Sequence, residues 1–230
     1  MLRKTFSQEM HEIRDEILLL SSMVEQSVMY SVEALKNNDL RRSLQILSYD
    51  QRINQKRFEI EASIMVLIAT QQPIAHDLRW LAASLDICTE LERMGDYAKG
   101  IANINLRAEG LSLPLIVRDI HSMAEAAVDM LHRAMTTFAD EDLQMAKAII
   151  LEDEQIDTWY IRLYNEAINS VVGDARNIER ANFVIWVAHN LERLGDRVTN
   201  ICERVVYIVS GERPVPDPLP KETKLSLGES

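Results

Sequence analysis

The chain has 230 residues, with 36 Asp and Glu against 25 Lys and Arg, 47% apolar residues, 7 Gly and 6 Pro. This composition excludes a disordered or fibrous chain. It fits a soluble, packed globular protein of one large domain or two domains of roughly 100 residues each. The formal net charge of −11 argues against a surface that coats nucleic-acid or membrane phosphates, because such binding draws on clustered Lys and Arg.

The start of the chain and its two cysteines bear on the compartment. No signal-peptide pattern follows Met1, and charges interrupt each apolar stretch well before the roughly 20 residues that a membrane span needs. Cys88 and Cys202 are too few for a disulfide framework, which is typical of a reducing compartment. The sequence therefore predicts a cytoplasmic protein without direct membrane insertion and without nucleic-acid binding.

Breaking and capping residues divide the chain into long segments. Apolar residues recur at helical spacing, no stretch alternates as a strand would, and four of the six prolines lie at positions 214 to 220. The pattern predicts six helices, at about residues 7–37, 39–71, 74–109, 114–138, 141–171 and 174–210. From Gly211 onward, the Pro-rich sequence predicts an extended, unpacked tail.

The second half of the chain repeats the first. Leu91-Glu-Arg-Met-Gly-Asp96 returns as Leu191-Glu-Arg-Leu-Gly-Asp196, with five of six positions identical at a shift of 100 residues. Asp50-x-x-Ile-Asn54 returns as Asp153-x-x-Ile-Asp157 at a shift of 103. The repeat predicts an all-α fold of two tandem three-helix bundles. Their ranges are 1–110 and 111–210, joined at Gly110 to Pro114, with 211–230 as a disordered tail.

Each repeat carries carboxylates along one line of its third helix. The lines consist of Glu92 and Asp96 in the first repeat, and of Glu192, Asp196 and Glu203 in the second. The second helices add side chains at i,i+4 spacing, namely Asp50 and Asn54, and Asp153 and Asp157. Antiparallel packing would bring each pair beside the acidic line of its own bundle. The carboxylates would then repel one another, and a bound cation would relieve that repulsion.

Oxygen ligands alone suit magnesium, manganese or iron, and zinc is compatible with them. The alternative is neutralisation by side chains. Lys99 lies on the first line where the second has Thr199, which makes the second cluster the stronger metal candidate. Gly95 and Gly195 lie inside otherwise good helices, which indicates close approach of a backbone or a ligand, or packing alone.

These motifs resemble the PhoU family of bacterial phosphate-uptake regulators. The resemblance rests on Gln71-Gln-Pro-Ile-Ala-His-Asp-Leu-Arg79 and on the paired Leu-Glu-Arg-x-Gly-Asp motif, and it covers about residues 7–210. It implies a two-bundle fold whose surface acids bind iron, zinc or other metal ions. By position, it implies one metal site at Asp50, Glu92 and Asp96 and another at Asp153, Asp157, Glu192 and Asp196. Asn54 departs from the acidic pattern of the first site.

The resemblance also implies a function. It implies a cytoplasmic adaptor, not an enzyme, that binds the ATPase of the phosphate ABC transporter and a sensor histidine kinase. The complex would repress the phosphate-starvation response when phosphate is plentiful. We also expect a homodimer, because residues 74–88 are apolar on opposite sides and the excess apolar surface must be buried.

Two alternative functions remain. A carboxylate-bridged dimetal enzyme in a helical bundle uses Glu-x-x-His pairs, and the nearest pattern here is the unrepeated Asp129-x-x-His132. His189, three residues before Glu192, is a candidate auxiliary ligand, although such a histidine is more often an ordinary surface residue. The second alternative is a metal-free helical scaffold whose carboxylates form a solubilising face.

Overall fold

The computed structural model describes residues 2–108 and 117–212, with side chains for 6–108 and 119–212. These residues form seven α-helices and no strand. The helices are α1 Leu2–Asn37, α2 Leu40–Gln71, α3 Ala75–Arg107, α4 Val117–Asp140, α5 Leu143–Ile150, α6 Asp153–Gly173 and α7 Ile178–Ser210, with a 3₁₀ turn at Ala175–Asn177 before α7. The predicted all-α fold of two tandem three-helix bundles is confirmed. The predicted joint at Gly110 to Pro114 and the tail beyond Glu212 lie outside the described residues.

Aspartate caps start the second helix of each repeat. The Oδ1 atom of Asp39 accepts a hydrogen bond from the backbone N–H of Arg42 at 2.9 Å. Asp142 does the same for Gln144 and Met145, at 2.9 and 3.0 Å. Each cap satisfies N–H groups that have no partner inside the helix.

The predicted fifth helix, 141–171, is interrupted in the structure. The backbone N–H groups of Leu151 and Glu152 donate to carbonyls three residues back, at Ala148 and Ile149, instead of four. This tightened turn ends α5 and starts α6 at Asp153. Arg133 of α4 holds Glu152 with a bidentate pair, of which the NH1 to Oε1 distance is 2.8 Å. Because this pair joins α4 to the turn between α5 and α6, helical periodicity does not predict the pair.

The predicted apolar faces of the third helices are confirmed as core. Residues Ile87, Leu91, Met94, Ala98 and Ile101 of α3, and Val187, Leu191, Leu194, Val198 and Val205 of α7, are at most 1% exposed. Burying each of the large aliphatic side chains stabilises the fold by about 1.5–3 kcal/mol. The two third helices are therefore the central elements of their bundles.

Helices α3 and α7 also pack against each other, antiparallel, where the two bundles meet. Arg204 Nε lies 3.1 Å from Asp86 Oδ2, and Arg197 NH1 lies 3.2 Å from Glu90 Oε2. Farther along, Arg193 of α7 stacks over the ring of Tyr97. Along this contact, residue numbers rise on α3 while those of their partners fall on α7. Gly95 and Gly195 therefore lie at the same level, near the middle of the contact. No helix among the described residues is long and apolar enough to cross a membrane.

Candidate metal centre

The first acidic cluster lies in the seam between α2 and α3. Asp50 is 3% exposed, so an unpaired charge there would be costly. The ammonium of Lys99 lies 2.7 Å from Asp50 Oδ2 and 3.4 Å from Asp96 Oδ1. Asn54 Nδ2 also donates to Asp50 Oδ2, at 3.3 Å. The hydrogen bond to Asp50 raises the pKa of Lys99, which keeps the ammonium charged between the two carboxylates.

A second basic side chain, Arg57 of α2, pairs with Glu92, the remaining acid of this cluster. Arg57 NH1 lies 3.4 Å from Glu92 Oε2, and Arg57 Nε lies 3.1 Å from Glu61 Oε1. Burial, followed by the charge of Asp96, raises the pKa of Glu92, and Arg57 opposes that rise. Lys99 and Arg57 therefore supply the first cluster with positive charge from the chain itself.

The second acidic cluster joins α6 to α7. Asp153 lies against Gly195, where a Cβ atom would fall 2.6 Å from Asp153 Oδ1. Burial, and then the charges of Asp157, Asp196 and Glu192, raise the pKa of Asp153 to about 7. The structure thus brings together the four carboxylates that the repeat predicted would converge here. Asp153 Oδ1 is buried and has no hydrogen-bond partner.

Three of these four acids have no ion pair with a described Lys or Arg side chain, and Arg197, whose pKa the charge of Asp196 helps to raise, is paired with Glu90. Among the described side chains, no Lys or Arg nitrogen lies within 4.0 Å of Asp153, Asp157 or Asp196. Tyr160 stands at the position equivalent to Arg57, as Thr199 does for Lys99. The nearest imidazole, His189, has its Nδ1 atom 3.1 Å from Glu192 Oε2. Burial, followed by the charge of Asp196, raises the pKa of Glu192.

The donors of the second cluster fit a divalent cation. Carboxylate oxygens with one imidazole nitrogen suit iron, zinc, manganese and magnesium to different degrees, and the unpartnered oxygen of Asp153 is oriented toward α7. Within residues 6–108 and 119–212, no group of three or more Asp, Glu, His or Cys side chains is placed so that it could hold a metal ion as it stands. Binding therefore requires side-chain rotation, which is open to Asp157 because it is exposed.

Glu203 stands apart from this group. It lies seven residues after Asp196, which is about 10 Å along α7. Burial raises the pKa of Glu203 and Arg204 opposes that rise, whereas the four converging acids have no resolved effect on it. The structure therefore does not bring this predicted ligand to the others.

The Asp129-x-x-His132 pattern is also divided between separate partners. Asp129 Oδ2 accepts a hydrogen bond from Arg133 Nε at 2.9 Å. His132 Nδ1 lies 3.5 Å from Glu25 Oε2 of α1. Each of these side chains thus has a structural partner of its own.

The two motif glycines make room for side chains of the neighbouring helix. A Cβ atom on Gly95 would lie 3.2 Å from two carbons of Ile53, and one on Gly195 would meet Ile156 as well as Asp153. The nearest atoms to both glycines are side-chain atoms, so side-chain packing accounts for both spaces without the approach of another backbone. The part played by Arg57 was not predicted from the sequence, although this residue follows Asp50 at i+7 and Asn54 at i+3 and so shares their helix face.

Comparison with known proteins follows the same two-part division. The family model described as PhoU domain matches residues 17–104 and 120–205. A relative from Clostridium acetobutylicum, a phosphate-specific transport system accessory protein PhoU homolog, is 33% identical over 214 residues, which are 93% of this chain and 98% of the relative. The accessory protein PhoU of Serratia marcescens is 32% identical over 208 residues, which are 90% and 85% of the two chains.

Two crystal structures are similar throughout. The phosphate transport system regulatory protein PhoU from Streptococcus pneumoniae matches with a TM-score of 0.84 and 32% identity, over 90% of this chain and 98% of the other. PhoU from Pseudomonas aeruginosa matches with a TM-score of 0.85 and 29% identity, over 90% and 100%. The relatives are thus named as accessory or regulatory proteins of phosphate transport.

Proposed function

This chain belongs to the PhoU family, and we propose that it is an accessory regulator of phosphate uptake that acts by binding other proteins, without catalysis. The names of its full-length relatives support this function. Burial raises the pKa of both Cys88 and Cys202 to about 12, which argues against one kind of catalysis only, that by a cysteine nucleophile at neutral pH.

The partners in this proposal are the ATPase of the phosphate ABC transporter and a sensor histidine kinase. Binding to both, in the cytoplasm and as a homodimer, would repress the phosphate-starvation response while phosphate is abundant. Purified transporter ATPase and kinase cytoplasmic domain, each titrated with this protein, test the proposal directly. Saturable binding of both is expected, and absence of binding to either would count against it.

The regulator also carries a divalent metal ion on its second bundle. The observation that supports the ion is a group of converging acids in which Asp153, Asp157 and Asp196 have no described Lys or Arg nitrogen within 4.0 Å. A buried carboxylate oxygen without a hydrogen-bond partner occurs in both clusters, on Asp50 and on Asp153. Asp157, Glu192 and Asp196 would complete the ligands, with His189 as an auxiliary. When bound, the ion would neutralise their charge and fasten α6 to α7. Iron and zinc are the first candidates, followed by manganese and magnesium.

Elemental analysis and melting curves test the metal site. Protein purified without chelator should contain iron or zinc, and stripped protein should melt at a higher temperature once the ion is restored. Asp153→Asn with Glu192→Gln should abolish that increase. Asp96→Asn, at the equivalent of Asp196 in the first cluster, is the matched control and should keep it. Metal-free protein with no thermal response to any of the four ions would overturn this part of the proposal alone.

A further inference from the structure

A groove of about 730 Å³ lies between α1 and α2, and no residue of either acidic cluster lines it. Its floor is apolar, with Ile13, Ile60 and Leu67 buried at 5%, 2% and 4% exposure. On the α2 side, Val66 is 62% exposed, beside the small side chain of Ala62. Because these side chains are small or short, another backbone could approach α2 closely.

The rim of this groove is acidic. Glu9, Glu12 and Glu16 lie on successive turns of α1, and Glu59 faces them from α2. Lys56 is the one basic residue among the described side chains that line the groove, and its ammonium is already 2.5 Å from Glu16 Oε2 and 3.8 Å from Glu59 Oε2. Four carboxylates against one paired ammonium give the rim a strong negative potential.

We propose that this groove docks a basic amphipathic helix of a partner protein. Its apolar face would cover Ile13, Ile60 and Val66, and its Lys and Arg side chains would lie along the glutamates of α1. A helix in a groove between two helices extends a three-helix bundle to four, a common mode of recognition. The α2 side of the lining runs from residue 56 to residue 70, about 21 Å of helix, which matches a docked helix of about 14 residues.

A second copy of this chain is a poorer occupant. Its most exposed apolar stripe, on α6, includes Ile161, Tyr164, Ile168 and Val172. The arginine in that stretch, Arg162, is engaged at 2.7 Å with Asp119 and also stacks on Trp159. The stripe therefore offers little free positive charge to an acidic rim. This inference does not rest on the proposed metal site or on the identity of the transport partners.

A model peptide tests the groove. The probe is a fluorescein-labelled peptide of 15 residues, built from Leu and Lys in a helical amphipathic pattern and titrated by fluorescence anisotropy. We expect micromolar binding that weakens with added salt, and binding about tenfold weaker for a scrambled Leu/Lys peptide. A Leu/Glu peptide of the same pattern should not bind.

Matched variants locate the binding. Val66→Asp should weaken binding about tenfold, whereas Met65→Asp, on the preceding residue and similarly exposed at 58% against 62%, should change it less than about twofold. Glu12→Lys should weaken binding and flatten its salt dependence, while Glu33→Lys, elsewhere on α1, serves as the charge control. All four positions are exposed, so circular dichroism should show unchanged helix content.

Other results would overturn the proposal. Equal binding by Val66→Asp and Met65→Asp, or equal binding of the scrambled peptide, would indicate adsorption to an acidic protein without a defined groove. Tighter peptide binding after truncation at Glu212 would make the C-terminal residues of this chain the occupant. Concentration-dependent dimerisation that Val66→Asp abolishes would make a second copy the occupant.

Discussion

Residues at equivalent positions of the two repeats determine whether each acidic cluster contains basic side chains of its own. Lys99 and Arg57 place two cations among the acids of the first cluster. Thr199 and Tyr160 stand at the same places in the second and supply none. Since a buried carboxylate is stable only when paired, hydrogen-bonded or protonated, these two differences separate the internally neutralised cluster from the one that we propose binds a cation.

Exchanging the residues at these positions should exchange the metal binding of the two clusters. Lys99→Thr with Asn54→Asp removes the first cluster's bridging ammonium and restores its missing acid, so metal content should rise to about two ions per chain. Thr199→Lys should place an ammonium among Asp153, Asp157 and Asp196 and reduce metal content toward zero. Elemental analysis with isothermal titration calorimetry measures both. Unchanged content in both variants would contradict the assignment of Lys99 as an internal cation.

The glycines of the repeated motif provide a second test at this scale. Gly195→Ala should turn the Asp153 carboxylate away, because its Cβ would lie 2.6 Å from Oδ1, and metal affinity should fall about tenfold. The metal-free protein should melt no lower, since Ala favours the helix over Gly by about 1 kcal/mol.

Gly95→Ala is the matched control for that substitution. Its Cβ would meet only Ile53, at 3.2 Å, so it should change stability modestly and leave metal affinity within about twofold. Calorimetric titration and thermal denaturation of both variants separate the two effects. Equal loss of metal affinity in both would contradict the role assigned to Asp153.

At the level of the helices, the break between α5 and α6 determines the position of Asp153, the first acid of the second cluster. The tight turn at Leu151 and Glu152 makes Asp153 the first residue of α6. Arg133 fixes this turn from α4 through both oxygens of Glu152. The hydrogen bond from Arg133 also lowers the pKa of Glu152, so the pair stays ionised at neutral pH.

Removing that pair should loosen the start of α6. Arg133→Ala should cost about 1 kcal/mol of stability, a modest figure because both side chains are partly exposed, and it should speed amide exchange over residues 153–160. Arg176→Ala breaks a similar pair with Asp174 in which Arg176 is 90% exposed, and it should do neither. Hydrogen-exchange mass spectrometry with chemical denaturation measures both changes. Identical exchange in the two variants would show that Arg133 does not hold the turn.

On the scale of the whole molecule, the repeat arranges the two clusters around the antiparallel α3–α7 contact. Polar pairs at this contact, such as Glu90 with Arg197, lie beside an apolar core that runs continuously through both repeats. Glu90 Oε2 also accepts a hydrogen bond from Asn200 Nδ2 at 3.2 Å. These directional contacts fix one relative orientation of the bundles, which apolar packing alone would specify less strictly.

The stability of the whole metal-free protein should depend on Asp153. Its pKa is about 7 in the folded chain against 3.8 for the ordinary side chain, so the folded state binds more protons between these values. Stability should therefore fall as the pH rises from about 4 to 7, by about 1–2 kcal/mol after allowance for solvent screening. Urea titrations in chelator test this. The Asp153→Asn variant should lose less stability over this pH range than the unmodified protein. The same pH profile in both proteins would contradict the raised pKa of Asp153.

The amino-acid pattern alone is enough to predict the repeat, the positions of the acids and the helices, apart from the break between α5 and α6. All three depend on local periodicity and on residue identity, which a linear pattern contains. Local periodicity does not predict the break at Leu151 or the neighbours of Gly95 and Gly195. These features depend on contacts with side chains of other helices. The same holds for the cations of the first cluster.

Which charged side chains come into contact depends on how the helices pack. Lys99 reaches Asp50 across a helix seam, whereas Asp153 reaches Gly195 and finds no cation there. Electrostatic energies depend on distance and burial, and packing sets both of these. Two nearly equivalent sequence motifs therefore give one cluster neutralised by its own chain and one that is suited to an ion from solution.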